Sequence, residues 1–202
     1  MVQGKKAIFL DLDGTLYPYE PCHRNALRAA HAAHRRVVRK ISGEVFEQLY
    51  RQARDAVHRR LRGQAASHSR LLYFQTLLEL EAGRTDVRGS LLLENAYWGA
   101  FLDCMRAASW VRPFLRWCKS RGKIVVVVTN LTAGIQMRKL RRLGVEEWVD
   151  FLVTSEEAGV EKPAPAIFRI ALRKASCRPG QVLVVGNDFY QDCVPFLEFF
   201  RV

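Results

Sequence analysis

Between Lys123 and Val128 the chain reads Lys-Ile-Val-Val-Val-Val and stops at Thr129-Asn130. β-Branched side chains are stiff at χ1 and favour extended backbone. A strand with one wet face alternates polar and apolar residues. A run with no alternation is buried on both faces, as in a parallel sheet covered by helices. Three further runs share this character: Lys6–Leu10, Phe151–Thr154 and Gln181–Val185, the last ending at Gly186. Helical patterns separate the last three strands. Thr132–Leu143 carries Ile135, Leu140 and Leu143 and is followed by Gly144 as a C-cap, while Pro165–Lys174 carries Ile167, Phe168, Ile170, Ala171 and Leu172. Strands alternating with helices demand βαβ crossovers, so the expected fold is α/β with a doubly wound parallel sheet.

The stretch from about Glu20 to Ser109 differs. It lacks valine-rich runs and has long helical periodicities, with breaks at Ser42-Gly43, Gly63 and Gly83. These predict helices near 22–41, 44–62, 67–82 and 90–106, a helical bundle inserted after the first strand. The expected organisation is therefore an α/β core of residues 1–19 and 110–202 with a helical cap of residues 20–109. The inserted segment holds fifteen Arg and Lys against nine Asp and Glu, and all five histidines. They sit along Arg-rich helix faces, which points to surface or core roles rather than a metal site.

The net charge of +12 attracts anions, among them phosphorylated metabolites and nucleic acids. A solvated basic surface accounts for it more simply than dedicated nucleic-acid binding. The apolar stretch Ala7–Leu10 is too short for a signal-peptide core and runs into an acid. No apolar run approaches the roughly 20 residues of a spanning helix. The expectation is a cytoplasmic protein with no membrane partner. Five cysteines, with no C-x-x-C pair, read as reduced apolar fillers.

Four short motifs lie at or just beyond the carboxyl ends of the predicted strands, the edge at which open α/β sheets bind ligands. The first is Asp11-Leu12-Asp13-Gly14-Thr15-Leu16, with two carboxylates at alternate positions and a glycine for a sharp turn. The second is Thr129-Asn130, a hydroxyl and backbone N–H groups placed to meet an anion. The third is Lys162-Pro163, a lysine at a helix start, where the macrodipole disfavours a cation unless an anion lies nearby. The fourth is Gly186-Asn187-Asp188-Phe189-Tyr190-Gln191-Asp192. Asp11, Asp13, Asp188 and Asp192 would crowd one pocket and repel unless a cation intervenes, and an all-oxygen set suits Mg²⁺ better than zinc.

Taken together and in this order, D-x-D-G-T-L, T-N, K-P and G-N-D-x-x-x-D resemble the haloacid dehalogenase superfamily, in the subfamily with a helical cap after the first strand. Arg112-Pro113 and the stretch Ser155–Phe168 extend the likeness over nearly the whole chain. The resemblance implies a Mg²⁺-dependent phosphatase acting on a small phosphorylated metabolite through an aspartyl phosphate. Asp11 would be the nucleophile and Asp13 the acid/base. Thr129, Asn130 and Lys162 would bind the transferring phosphoryl group. Asp11, the Asp13 carbonyl, Asp188 and Asp192 would hold the metal. The second aspartate argues for phosphate esters over carbon–halogen bonds, because a halide leaves without a proton. A phosphomutase, and a nucleic-acid-associated or inactive protein retaining the fold, are the alternative readings. The chain departs from the family pattern in two places. Asn187 stands where many relatives carry an aspartate, leaving open whether Asn187 or Asp188 faces the metal. The chain also stops at Val202, short for the fold, which would leave the Gln181–Val185 strand at a sheet edge.

Overall fold

The computed structural model describes residues 4–200. β1 (Ala7–Leu10), β2 (Ile124–Thr129), β3 (Phe151–Thr154) and β4 (Val182–Val185) form one sheet in the order β3-β2-β1-β4, with every pairing parallel. The expected α/β parallel sheet is thus what the residues form. The valine run behaves as its composition requires: Val125, Val126 and Val127 are fully buried, as are Ala7, Ile8 and Leu10. On one face Phe9, Val126, Val128 and Val153 pack with Ile167, Phe168, Ala171 and Phe196.

The chain divides into two compact units, one of Met1–Tyr19, Gly63–Ala65 and Met105–Val202 and the other of Glu20–Arg62 and Ala66–Cys104. The second unit is helical: α1 (Tyr19–Val37), α2 (Gly43–Arg60), α3 (Arg70–Ala82) and α4 (Val87–Cys104). Ser42 caps α2, its hydroxyl accepting from the Val45 N–H at 3.3 Å, and Gly83 ends α3 in the left-handed conformation. The unit's interior is aromatic, with Phe46, Tyr50, Tyr73, Phe74, Tyr97 and Phe101 buried. Its histidines engage inside it: His23 Nδ1 meets the Tyr97 hydroxyl at 2.7 Å, His58 Nε2 that of Tyr73 at 2.6 Å, and buried His34 meets Glu81 at 2.6 Å.

In the sheet unit, α5 (Val111–Ser120) precedes β2, a helix that the sequence reading left unassigned. It is followed by α6 (Ala133–Leu143), the short α7 (Ser155–Ala158) after β3, and α8 (Pro165–Lys174) before β4. A π-helical turn, Phe189–Cys193, leads into α9 (Val194–Phe199). Gly144 ends α6 at φ +63°, as its position predicts. Lys162 does not open a helix. A cis Lys162–Pro163 bond follows it, and α8 begins only at Pro165.

Candidate active site

Register assembles the site. Leu10 pairs with Val127 on one side and Val185 on the other, so the loops after β1, β2 and β4 leave the sheet side by side. The strand order reverses at β1, which makes its carboxyl end the place where an open sheet forms a crevice. The Asp11 N–H still donates to the Val185 carbonyl at 2.9 Å, which fixes the aspartate at the last rung of the ladder.

Asp11 and Lys162 are both buried. The Lys162 ammonium donates to Asp11 Oδ1 at 2.7 Å and to Asp192 Oδ1 at 2.6 Å, bridging segments 151 and 30 residues away in sequence. Asn130 holds Lys162 from behind, its amide oxygen accepting from the Lys162 N–H at 2.8 Å. Burial disfavours the ammonium, but the two carboxylates outweigh it and hold the Lys162 pKa above its ordinary range. For Asp11, burial pushes the carboxyl upward; Lys162 opposes this, and Asp192 and Asp13 add like-charge repulsion.

Asp13 has separate surroundings. The Lys139 ammonium, fully buried, donates to its two oxygens at 2.6 and 2.9 Å. The Tyr17 hydroxyl donates to Oδ1, and Gln136 Nε2 to Oδ2 at 2.9 Å. Burial alone would raise the Asp13 carboxyl, yet Lys139, Tyr17 and Gln136 together hold it below the usual carboxylate range. The same Gln136 nitrogen lies 2.6 Å from Thr129 Oγ1 and 2.8 Å from the Asn130 carbonyl. Leu131, next in the chain, is held at φ +98° with its N–H on Ser155 Oγ at 2.8 Å, a strained leucine where the loop after β2 turns.

Beyond β4 the two candidates for the metal position separate. Asp188 turns its carboxylate onto its own loop, accepting from the N–H groups of Tyr190 and Gln191 at 3.0 and 3.1 Å and from Gln191 Nε2 at 3.0 Å. The expectation that Asp188 joins the acids around Asp11 therefore meets a different geometry: its oxygens are taken by the π-helical turn that it caps. Asn187 is the residue brought to Asp11. One atom of its amide lies 3.1 Å from both Asp11 Oδ2 and Thr15 Oγ1 and 3.3 Å from the Asp13 carbonyl. Thr15 Oγ1 itself donates to Asp11 Oδ2 at 2.8 Å. Among the described residues, Lys162 is the hydrogen-bonded link between Asp192 and Asp11.

These donors bear on whether a divalent cation fits. Among the described residues no three His, Cys, Asp or Glu side chains are grouped to hold a metal. The set on offer is one carboxylate oxygen of Asp11, the Asp13 carbonyl and the Asn187 amide. The two ends of an amide have nearly the same shape. With nitrogen inward, Asn187 donates to the surrounding oxygens; with oxygen inward, it completes an oxygen cluster that calls for a cation. Asp11 and Asp192 also share a single ammonium, leaving one negative charge to be balanced. An oxygen donor set with surplus negative charge fits Mg²⁺.

A family model for a hydrolase, the haloacid dehalogenase-like hydrolase, matches residues 5–193. The chain belongs to the haloacid dehalogenase-like hydrolase family. Among curated members it is 38% identical over 186 residues to the ribulose-1,5-bisphosphate 5-phosphatase of Halopiger xanaduensis, covering 92% of this chain and 78% of that protein. It is 31% identical over 192 residues to the glyceraldehyde 3-phosphate phosphatase of Methanopyrus kandleri, covering 93% of this chain and 77% of the other. Among solved structures, the HAD phosphatase from Thermococcus onnurineus superposes with a TM-score of 0.70 at 22% identity, over 95% of this chain and 81% of that one. At this identity the superposition speaks for the fold.

Within this haloacid dehalogenase-like hydrolase, sequence reasoning passed over Thr15, Gln136 and Lys139. Thr15 lay inside a motif already quoted. Gln136 and Lys139 had a quieter signal: with Leu140 and Leu143 they complete an i, i+3, i+4, i+7 stripe, the spacing of a buried helix face.

Proposed function

We propose that this haloacid dehalogenase-like hydrolase is a phosphatase that hydrolyses a small phosphate monoester by way of an aspartyl phosphate on Asp11, with Mg²⁺ as cofactor. The observation that carries the reading is the buried Lys162 ammonium shared by Asp11 and Asp192 at the carboxyl end of the central strand. It orients one oxygen of Asp11 and supplies positive charge where a phosphoryl group would arrive. The two named phosphatase relatives support the substrate class, pointing to phosphorylated sugars of three to five carbons.

Asp11 attacks phosphorus, the P–O bond to the alcohol breaks, and the alcohol takes a proton from Asp13. Asp13 then removes a proton from water as the water attacks phosphorus. Phosphate departs and Asp11 is regenerated. Asp13 gives up one proton in the first step and takes one in the second, so the cycle balances. Thr129, whose hydroxyl accepts from Gln136 and donates to the Asn130 carbonyl at 3.3 Å, would turn that proton to a phosphoryl oxygen of bound substrate. Asn130 contributes through Lys162, whose main chain it holds. Asp11 Oδ2, the Asp13 carbonyl and Asn187 would hold Mg²⁺, which when bound neutralises phosphoryl charge. Asp13 also supports esters over organohalides as substrates, since only an alkoxide leaving group needs its proton.

The test is phosphate release from a panel of sugar phosphates and bisphosphates with Mg²⁺ or with EDTA, for the parent and Asp11→Asn. Turnover that needs Mg²⁺ and vanishes in Asp11→Asn is expected. An Asp11→Asn protein as fast as the parent refutes the mechanism.

A further inference from the structure

The acid/base assigned to Asp13 needs its carboxyl aimed at the reacting oxygen within a fraction of an ångström, and its own loop provides one contact toward that, the Tyr17 hydroxyl on Oδ1, with none on Oδ2 among the described residues. Asp13 sits one residue before Gly14, which adopts φ +88°, so its backbone neighbours offer little restraint. The contacts that fix both oxygens come from α6. Lys139 holds both carboxylate oxygens at 2.6 and 2.9 Å, and Gln136, one turn earlier on the same buried face, takes Oδ2 at 2.9 Å. Gln136 also contacts Thr129 Oγ1 at 2.6 Å and the Asn130 carbonyl at 2.8 Å. Its own Oε1 is buried without a hydrogen-bond partner among the described residues. An unsatisfied buried carbonyl and a fully buried lysine are each costly to a fold. A helix whose only task was to cover the sheet would carry leucine at both positions. Retaining them is consistent with a positional demand that packing does not impose.

We infer that Gln136 and Lys139 are positioning residues that fix the Asp13 carboxylate and the Thr129 hydroxyl in one frame, so that proton transfer and phosphoryl binding stay in register. The inference rests on Asp13 being the acid/base of the proposed phosphatase. Neither residue touches substrate; both act through the groups they hold.

The two half-reactions give a readout that a structural role would not. p-Nitrophenyl phosphate has a leaving group that departs without a proton, so a misplaced Asp13 slows only the water step. Positioned acid/base help is worth about 10²–10⁴-fold. For Lys139→Met with p-nitrophenyl phosphate and Mg²⁺, kcat falls about 100-fold and KM falls with it. kcat/KM stays near the parental value, and a burst of one p-nitrophenol per enzyme marks accumulated aspartyl phosphate. With glycerol 3-phosphate, whose alkoxide needs a proton, kcat/KM falls about 100-fold as well. Lys139→Arg restores part of the loss. Gln136→Met removes a donor without removing charge, and shows the same pattern more weakly should Lys139→Met fail to fold. Parental kcat on both esters, or an equal fall in kcat/KM on both with no burst, overturns the inference. Asp11→Asn run in parallel separates the two claims. If Asp11→Asn is inactive while the α6 variants match the parent, only the positioning role is lost; if Asp11→Asn turns over normally, the phosphatase mechanism itself has failed.

Discussion

Lys162→Met tests the electrostatic heart of the site without any assay of turnover. In the parent, two buried carboxylates share one ammonium at 2.7 and 2.6 Å, which sets their oxygens on the order of 5 Å apart. At an effective dielectric of about 20, two unit charges at that spacing repel by about 3 kcal/mol. Methionine fills much of the volume and leaves the repulsion unscreened, so Lys162→Met should lose about 3 kcal/mol at pH 8 in EDTA. The pH dependence carries the diagnosis. Lys162 has a folded pKa above its unfolded value, so its contribution is fully present below the unfolded lysine value and constant between pH 5 and 8. In the variant, one of the two carboxyls has a folded pKa well above the unfolded carboxylate value. Stability is then lost as pH rises through that raised value and regained as pH falls. The gap between variant and parent should shrink from about 3 kcal/mol at pH 8 to about 1.5 kcal/mol at pH 5. Urea unfolding at half-unit pH intervals measures it. A gap that stays constant from pH 8 to pH 5 would refute the charge argument and reduce the effect to packing.

Two further outcomes follow from the loop after β4. Asn187→Asp adds a charged oxygen beside Asp11 Oδ2, so Mg²⁺ affinity by isothermal titration calorimetry should rise about tenfold or more, since ligand charge sets affinity at such sites; an unchanged or weaker dissociation constant would remove Asn187 from the cation site. In Gly186→Ala, the new methyl group would lie 2.0 Å from Asp192 Oδ2 and 2.4 Å from its Cγ. Asp192 must swing off Lys162, and chemical denaturation should show a loss of about 1–3 kcal/mol, whereas parental stability would mean that the pocket can yield.

How much of this was readable beforehand divides along physical lines. The sheet was legible because strands buried on both faces leave unbroken apolar runs, and the four segments found are those the runs marked out. α5 was not, because Val111–Ser120, with Trp110 before it, carries Phe114 and Trp117 on a half-exposed side and reads as irregular. Asp11 stood out through the company it keeps in one string. Lys162 was singled out on a mistaken placement at a helix start; its real setting is a buried turn where burial and two carboxylates, not a dipole, decide its state. Lys139 was passed over because α6 is studded with basic residues, Arg138, Arg141 and Arg142 among them, and a lysine there looks like one more solvated charge. Only its phase relative to Leu140 and Leu143 distinguishes it, and periodicity locates a face without naming what the face meets.

The loop after β4 shows why spacing alone left open which of Asn187 and Asp188 lies beside Asp11. Counting acids puts Asp188 and Asp192 four apart, which on a regular helix would place both on one side. The chain there is not yet a helix: Asp188 is extended at φ −112°, ψ 104°, and acts as the cap of the turn that follows. A cap accepts from the N–H groups ahead of it, so its carboxylate points along the chain and away from the strand it left. The residue before it, Asn187, projects to the opposite side, toward Asp11. The π-helical turn then carries the chain round until Asp192 comes back beneath Gly186, its N–H on the Asp188 carbonyl at 2.9 Å and its carboxylate against Lys162. One loop thereby delivers an amide to Asp11 Oδ2 and a carboxylate to the lysine that holds Asp11 Oδ1. The close approach of Asp192 to Gly186 is what demands a residue with no Cβ between them.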